Sequence, residues 1–390
     1  MTRRAPKHQR RISTFPISRQ SRLSLTRNPS TPESPLANEQ GFALILTVFI
    51  VALLIILVLE FADETLAYQR SSRQYTEGIQ SEFILKSGIN LGKILLELPK
   101  EEGIREDWLG QPWALIAAAP SLPISGFLGE PRIAIFDEAG KINLNAMVEG
   151  AGRATAPPPI SSGAQIAGVP ATPQQAFDEQ SSYWKNALAQ LFNQLGFQKE
   201  SFKVELHRTP GNASYASNDQ VAVVHDWLDI DDKAHSDASF PGEGIESGSN
   251  SQWFYNRPMR SLSELALVPG MTLERVSRVA PFLRAVSGVT SQINVNTAPL
   301  PVLVAMGFSE SQAAEIVQER QSLPFNTEQL RTLVAGDAQL ARVTTTRSQE
   351  FSVYARVATP NGVRYAKAIL DIQNVAGGQR KAVVRALELL

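Results

Sequence analysis

The hydropathy pattern of the chain is dominated by one uninterrupted apolar run. Phe42 to Leu59 reads FALILTVFIVALLIILVL, eighteen residues without a charge, in which Thr47 is the one polar side chain. At about 1.5 Å per helical residue this spans roughly 27 Å, close to the hydrocarbon thickness of a bilayer. The run is longer than the apolar core of a cleaved secretory signal, and it ends in Glu60, Asp63 and Glu64 rather than in small residues. The pattern predicts a retained transmembrane helix. Past it, Leu66, Phe83, Ile84, Ile89, Leu91, Ile94, Leu95 and Leu98 recur on one broad face, so the helix should continue until Pro99 stops it. Gly78 and Gly88 are places where it could bend.

Further on the period changes. Arg132–Phe136 and Lys141–Leu144 flank the turn Asp137-Glu138-Ala139-Gly140 and read as a β-hairpin or two short strands. Phe351–Ala358 and Val363–Ile372 flank Thr359-Pro360-Asn361-Gly362, and Asn-Gly between β-rich runs is a strong hairpin signal. The middle of the chain is helical instead. Trp184, Leu188, Leu191, Phe192 and Leu195 fall at helical spacing. Two related patterns follow, from Ser261 to Leu283 and from Ile293 to Arg320, the second continuing through Pro324-Phe325-Asn326. Ser261 and Thr297 are candidate N-caps, with Pro299 in the first turn. The expected fold class is therefore α+β: a long N-terminal helix and a small antiparallel sheet, interrupted by a large helical insertion.

These patterns divide the chain into a leader (1–41), a membrane segment (42–60) and the rest of the long helix (61–98). A first β part (99–150) is followed by an Ala/Pro/Gly-rich linker (151–175). Two helical modules (176–290, with an acidic loop, and 291–343) precede closing strands (344–390).

Charge adds a direction. The first 41 residues carry eight Lys/Arg against Glu33 and Glu39, a surplus of six, whereas the whole chain is −1 and the remainder therefore −7. A basic segment ahead of an apolar helix keeps the N-terminus in the cytoplasm and sends the bulk of the chain across. A single-pass inner-membrane protein with its bulk in the periplasm is expected. The absence of Cys excludes disulfide frameworks, thiolate metal sites and Cys nucleophiles.

At Gly41-Phe42 the polar stretch TPESPLANEQG gives way to pure hydrophobe in one step. That boundary resembles the type III signal of type IV pilins and pseudopilins. The resemblance implies that a prepilin peptidase cuts after Gly41 and that the new terminal Phe42 is methylated, with the apolar helix retained. Leu46 departs from the Glu usual at the fifth mature position. A Glu there pairs with the terminal amine of a neighbouring subunit, and Leu46 cannot. This departure, together with FDEAGKINLN, VHDWLDIDD and INVNTAP, resembles the protein K family of the type II secretion system. The likeness covers most of the chain from Gly41 onward. It implies a pilin-like fold whose insertion holds two SAM-like modules, and a calcium ion in the helical domain. It also implies a minor pseudopilin at the pseudopilus tip, where I- and J-type minor pseudopilins and other secretion components would be its partners.

Asp226, Asp229, Asp231, Asp232, Asp237, Glu243 and Glu246 crowd a stretch of twenty-one residues that also holds Gly242 and Gly244. Hard oxygen ligands on a Gly-containing loop suit Ca²⁺. The spacing is not that of an EF-hand, and a solvated acidic loop would have the same composition. With the resemblance added, Asp229, Asp231, Asp232 and Glu246 become the candidate calcium ligands.

The second helical repeat also resembles a helix-hairpin-helix of DNA-uptake proteins, with turns at Val268-Pro269-Gly270-Met271 and Met306-Gly307-Phe308-Ser309. Each turn has one Gly rather than two, and Glu310, Glu315 and Glu319 would repel phosphate. No nucleic-acid partner is expected, although a membrane-anchored DNA-uptake protein is the alternative function. A tethered hydrolase is a further alternative. The four His are scattered, and no nucleophile elbow, HExxH or phosphate loop appears. The chain is expected not to be an enzyme.

Overall fold

The structure is a computed structural model that describes residues 39–100, 102–121, 124, 127, 129–148, 173–197, 215–288, 291–375 and 379–389. The linker expected at 151–175 lies almost wholly outside these, as does the leader before residue 39. The chain divides after Ser72 into two compact units. Helix α1 (Glu39–Glu97) is continuous through Gly78 and Gly88. In the first unit it has exposed apolar side chains throughout Phe42–Leu59, and it is long and apolar enough to cross a membrane.

Within the second unit, α2 (Pro112–Leu115), β1 (Glu130–Asp137) and β2 (Ile142–Asn143) come first. The helical region follows, with α3 (Pro173–Gln194), α4 (Ser217–Leu228), β3 (Ser236–Asp237), β4 (Phe240–Glu243), α5 (Leu273–Val279), β5 (Leu283–Arg284) and β6 (Ile293–Asn294). Then come α6 (Leu300–Met306), α7 (Glu310–Glu319), α8 (Thr327–Leu333), α9 (Ala338–Val343) and β7 (Thr344–Thr345). Finally β8 (Glu350–Thr359), β9 (Gly362–Asn374) and β10 (Arg380–Leu389) close the chain.

The main sheet has the order β1-β8-β9-β10 and is antiparallel throughout. β8 and β9 form the hairpin around Asn361-Gly362, with Thr359 opposite Gly362. In β8 the period of two places Phe351, Val353, Ala355 and Val357 in the core, while Tyr354 and Arg356 on the other face are half-buried. The last turns of α1 pack on that apolar face. Leu85, Ile89 and Leu96 share its core, and Trp113 of α2 meets Phe351 edge-on at 5.0 Å. Small residues let the helix approach. A Cβ placed on Gly88 would lie 3.1 Å from that of Ala355, and one on Gly92 would lie 2.7 Å from Val353 Cγ1. This α+β, pilin-like arrangement is the expected fold class.

The local structure decides one reading that the sequence leaves open and departs from another. Residues 132–144 form two strands and no hairpin: β1 pairs with β8, and β2 pairs in parallel with β5. The 3-10 turn Glu138–Gly140 between them is fixed by Asp137, which accepts the Ala139 N–H. Thr297 does not cap α6, whose N-cap is Pro299, because its hydroxyl donates to Asp137 Oδ2 instead. Ser261 does cap, accepting from Ser263 N, although the element is a 3-10 helix, Leu262–Leu267.

The helical region has one contiguous core, running from Ile142 to Val343. Trp184, Leu188, Leu191 and Phe192 of α3 pack with Val221, Val224, Trp227 and Leu228 of α4, and Val302 and Leu303 of α6 join them. Buried Arg275 lies over the Phe197 ring at 4.5 Å and donates to Gln220 Oε1 and the Gly270 carbonyl.

Two asparagines hold the segment after β1 onto this region. Asn143 Nδ2 donates to Val286 O while its Oδ1 accepts from Val286 N, and Asn145 does the same with Met259. Asn296 clamps Phe325 in the same two-bond way. The asparagines of KINLN and INVN thus act as buried clamps on distant backbone, which satisfies groups that would otherwise cost about 1–3 kcal/mol each. Asp137 completes the junction by accepting from Thr297, Ser348 and Asn294. Asp107, beside it, accepts from Arg380 at 2.6 Å and from Ser348 N at 3.0 Å, and pairs with Lys100.

Candidate functional site

Helix α4 delivers the start of the acidic loop. Its C-cap, Asp229, donates its N–H to His225 O, and the chain then turns back through β3 and β4. Asp226 on the last turn of α4 is fully buried and shapes the loop from inside. It accepts backbone N–H groups from His235 at 2.7 Å, Ile245 at 2.7 Å and Glu246 at 2.9 Å. Gly244 is required by that approach, since a Cβ there would come within 2.3 Å of Asp226 Oδ2. Burial raises the Asp226 pKa, while the three N–H groups act in the opposite direction. The acceptors of Asp226 are therefore committed to the backbone, and it serves as scaffold.

Around this scaffold the structure collects oxygen atoms. Glu246 is 2% exposed, and its Oε1 accepts from Asn256 Nδ2 at 2.9 Å. The same Nδ2 lies 2.9 Å from the Asp231 carbonyl oxygen and 3.2 Å from Asp232 Oδ1. Asp231 contributes its main-chain oxygen here, while its Oδ1 accepts from Lys233 N at 2.9 Å. Asp229 turns one oxygen to His225 Nδ1 at 3.1 Å. Asp229 Oδ1, Glu246 Oε2 and Asn256 Oδ1 are buried side-chain oxygens without a hydrogen-bond partner.

Electrostatics agrees with the geometry. Burial, and next the charge of Asp231, push Asp229 up to about 7. Burial likewise pushes Glu246 up to about 7, with Asp229, Asp226 and Asp232 adding repulsion against the amide of Asn256. Carboxylates in this condition gain most from a cation set between them. Orphaned buried oxygens, two crowded carboxylates and a main-chain carbonyl are the donor set of a hard divalent ion, so these residues fit calcium.

Of the four sequence candidates, Asp232 and Glu246 meet at one point, Asp231 joins through its backbone and Asp229 stands beside them. Asn256 was not foreseen. It comes from a separate loop and has the one positive φ among described non-Gly residues, 47°. Asn tolerates that region better than most residues, but nothing in Tyr255-Asn256-Arg257 announces it. His225 and His235 lie with ring centroids 4.3 Å apart and planes tilted by 39°, and burial first, then Lys185 for His225 and both His225 and Lys185 for His235, holds the pKa of each down at about 4.

The other candidates lie on α1. Gly41, Phe42 and Leu46 are all helical, and Phe42 is 69% and Leu46 46% exposed. At the two turns considered for phosphate binding, several of the amides are occupied. Met271 N donates to Val268 O, Gly307 N to Val304 O and Phe308 N to Leu303 O. Gly307, at φ 115°, is the C-cap of α6.

Comparison with known proteins gives one consistent direction. Two family models, both described as type II secretion system (T2SS), protein K, match residues 140–288 and 293–353. Together they span just over half of the 390 residues. A chain in the crystal structure of the GspK-GspI-GspJ complex from the enterotoxigenic Escherichia coli type 2 secretion system is similar in fold. The TM-score is 0.51 at 17% identity, over 82% of this chain and 99% of that one. No curated protein matches the chain.

Proposed function

The chain belongs to the protein K family of the type II secretion system, and from that premise we propose that it is the minor pseudopilin at the tip of a periplasmic pseudopilus. Its role is structural: a subunit that organises an assembly. It primes that assembly together with I- and J-type minor pseudopilins and helps drive folded proteins across the outer membrane. The observation that carries this reading is the joining of an exposed apolar helix segment to an α+β, pilin-like domain, with a helical region inserted between β1 and β8. An insertion of that size is hard to place inside a tightly packed filament and is free at its end. Leu46 supports the same position, because a subunit with nothing stacked above it has no terminal amine to neutralise. The crystal-structure relative is itself a complex of GspK, GspI and GspJ, which supports the choice of partners.

In this reading the basic leader stays in the cytoplasm until a prepilin peptidase cuts after Gly41, Phe42 is methylated, and α1 remains as the inner-membrane anchor. The loop at Asp229, Asp231, Asp232, Glu246 and Asn256 holds calcium, which supplies the positive charge that orders it. Co-purification of the detergent-extracted chain with tagged I- and J-type pseudopilins tests the proposal. A stable three-way complex is expected, and failure of the chain to join the other two would overturn it.

A further inference from the structure

Asn256 occupies an unusual place in the acidic loop. Its amide nitrogen sits where three oxygens converge, the Asp231 carbonyl, Asp232 Oδ1 and Glu246 Oε1, none farther than 3.2 Å. An NH₂ group has two protons, so it cannot fully satisfy three acceptors. It is a partial positive charge standing in for a whole one. On the other end of the same amide, Oδ1 is buried and unpartnered, as are Glu246 Oε2 and Asp229 Oδ1. A half-turn of the amide would bring a fourth oxygen to the point of convergence. Without a cation that orientation is repulsive, and with one it adds a fourth oxygen toward the six to eight that calcium takes.

The backbone holds the amide in reach. Asn256 keeps φ at 47°, and its neighbours are fixed on both sides. Tyr255 packs on Trp227 at 4.7 Å between ring centroids, Phe254 meets the same indole at 6.2 Å, and Arg257 lies 4.9 Å over the Tyr255 ring.

Resting on the calcium reading, we infer that Asn256 is the ion-responsive ligand of this loop. Its nitrogen holds the oxygens together in the ion-free state, and its oxygen joins them when calcium enters. The amide also explains how crowded carboxylates keep one arrangement before the ion arrives.

Two variants of the full detergent-solubilised chain separate the roles. N256G keeps the positive φ and removes the amide alone. N256D removes the donor and adds a carboxylate. Calcium chloride is titrated by calorimetry into chelator-treated protein, and thermal unfolding is recorded in EGTA. N256G should bind calcium about tenfold or more weakly. N256D should melt several degrees lower in EGTA and regain more than the wild type on adding calcium, because the ion then offsets an extra repulsion. If the wild type binds and both variants match it in affinity and in EGTA stability, Asn256 has no such role and the calcium site stands without it. If the wild type shows no binding, the calcium reading falls and this inference with it.

Discussion

Asp137, on the strand before the insertion, accepts the hydroxyl of Thr297, which lies 160 residues later at the start of the second helical segment. The carboxyl is buried, and burial outweighs its hydrogen bonds from Ser348 and Thr297, pushing its pKa from 3.8 up to about 6. The folded state therefore holds this proton more tightly than the unfolded one. The group's contribution to stability is full below pH 3.8 and is lost as pH rises through about 6. Removing the titration with Asp137→Asn should flatten that part of the profile. Relative to the variant, the wild type should gain up to about 3 kcal/mol between pH 7 and pH 4. Parallel stability–pH curves for the two proteins would show that Asp137 is not the titrating group.

The contact of Gly92 with Val353 limits how α1 lies on the sheet. A Cβ at 2.7 Å from Val353 Cγ1 has no room, and Ile135 is 3.4 Å away on the other side. Gly92→Ala should gain about 1 kcal/mol of helix propensity and lose about 1–3 to overpacking. The net effect is mild destabilisation, and Gly92→Leu should be far worse. Gly78 makes the control, since the nearest atom to its Cβ is the movable end of Arg364 at 3.3 Å. Gly78→Ala should be neutral or stabilising. Chemical denaturation midpoints of the three variants distinguish these outcomes.

Cleavage after Gly41 is testable directly. Mass spectrometry of membrane-extracted protein should find a methylated Phe42 at the N-terminus. Bulky replacements of Gly41 should block processing, because Gly41 is open in the helix, with nothing within 4 Å of a placed Cβ, and only the peptidase limits its size. A mature protein beginning at Met1 would remove the basis for this step.

Leu46 reverses the usual rule for pilin helices. Leu46→Glu would put a carboxylate in hydrocarbon, at a cost of about 2.5–3.5 kcal/mol on insertion scales for Asp. It should impair assembly or insertion, while Leu46→Ile is silent. Secretion of a native substrate at matched expression is the readout. Normal secretion by Leu46→Glu, with the subunit found along the whole filament, would disprove the tip position.

How far the sequence can be read depends on range. The apolar run, the Asn-Gly hairpin and the crowding of Asp229 to Glu246 are local patterns, and local physics produces them. The strands on the two sides of the insertion are expected in one sheet, but nothing in β1 says that its neighbour is β8, nor in β2 that it pairs in parallel with Leu283–Arg284, because pairing across an insertion leaves no periodicity. Thr297 looks like a cap by its position before Pro299, but a buried carboxylate from another segment takes its hydroxyl. Asn256 was invisible for the same reason. Its chemistry depends on the distant Glu246 and Asp232 and on a backbone angle that the sequence does not display.

The split origin of the main sheet bears on the route by which the chain reaches its final form. Asp137 and Ser348 touch across 211 residues. Closing a flexible gap of that size costs about 5 kcal/mol of chain entropy before any strand bond repays it. The β8–β9 hairpin has no such cost, and the helical core closes a shorter gap, from Ile142 to Leu283. Once the core has gathered Asn143, Asn294 and Thr344 through β2, β6 and β7, the two ends of the insertion are held together and the gap is already short. The inserted region is thus a splint for the sheet, and β1 is the strand that must wait, unpaired, until nearly all of the chain is present.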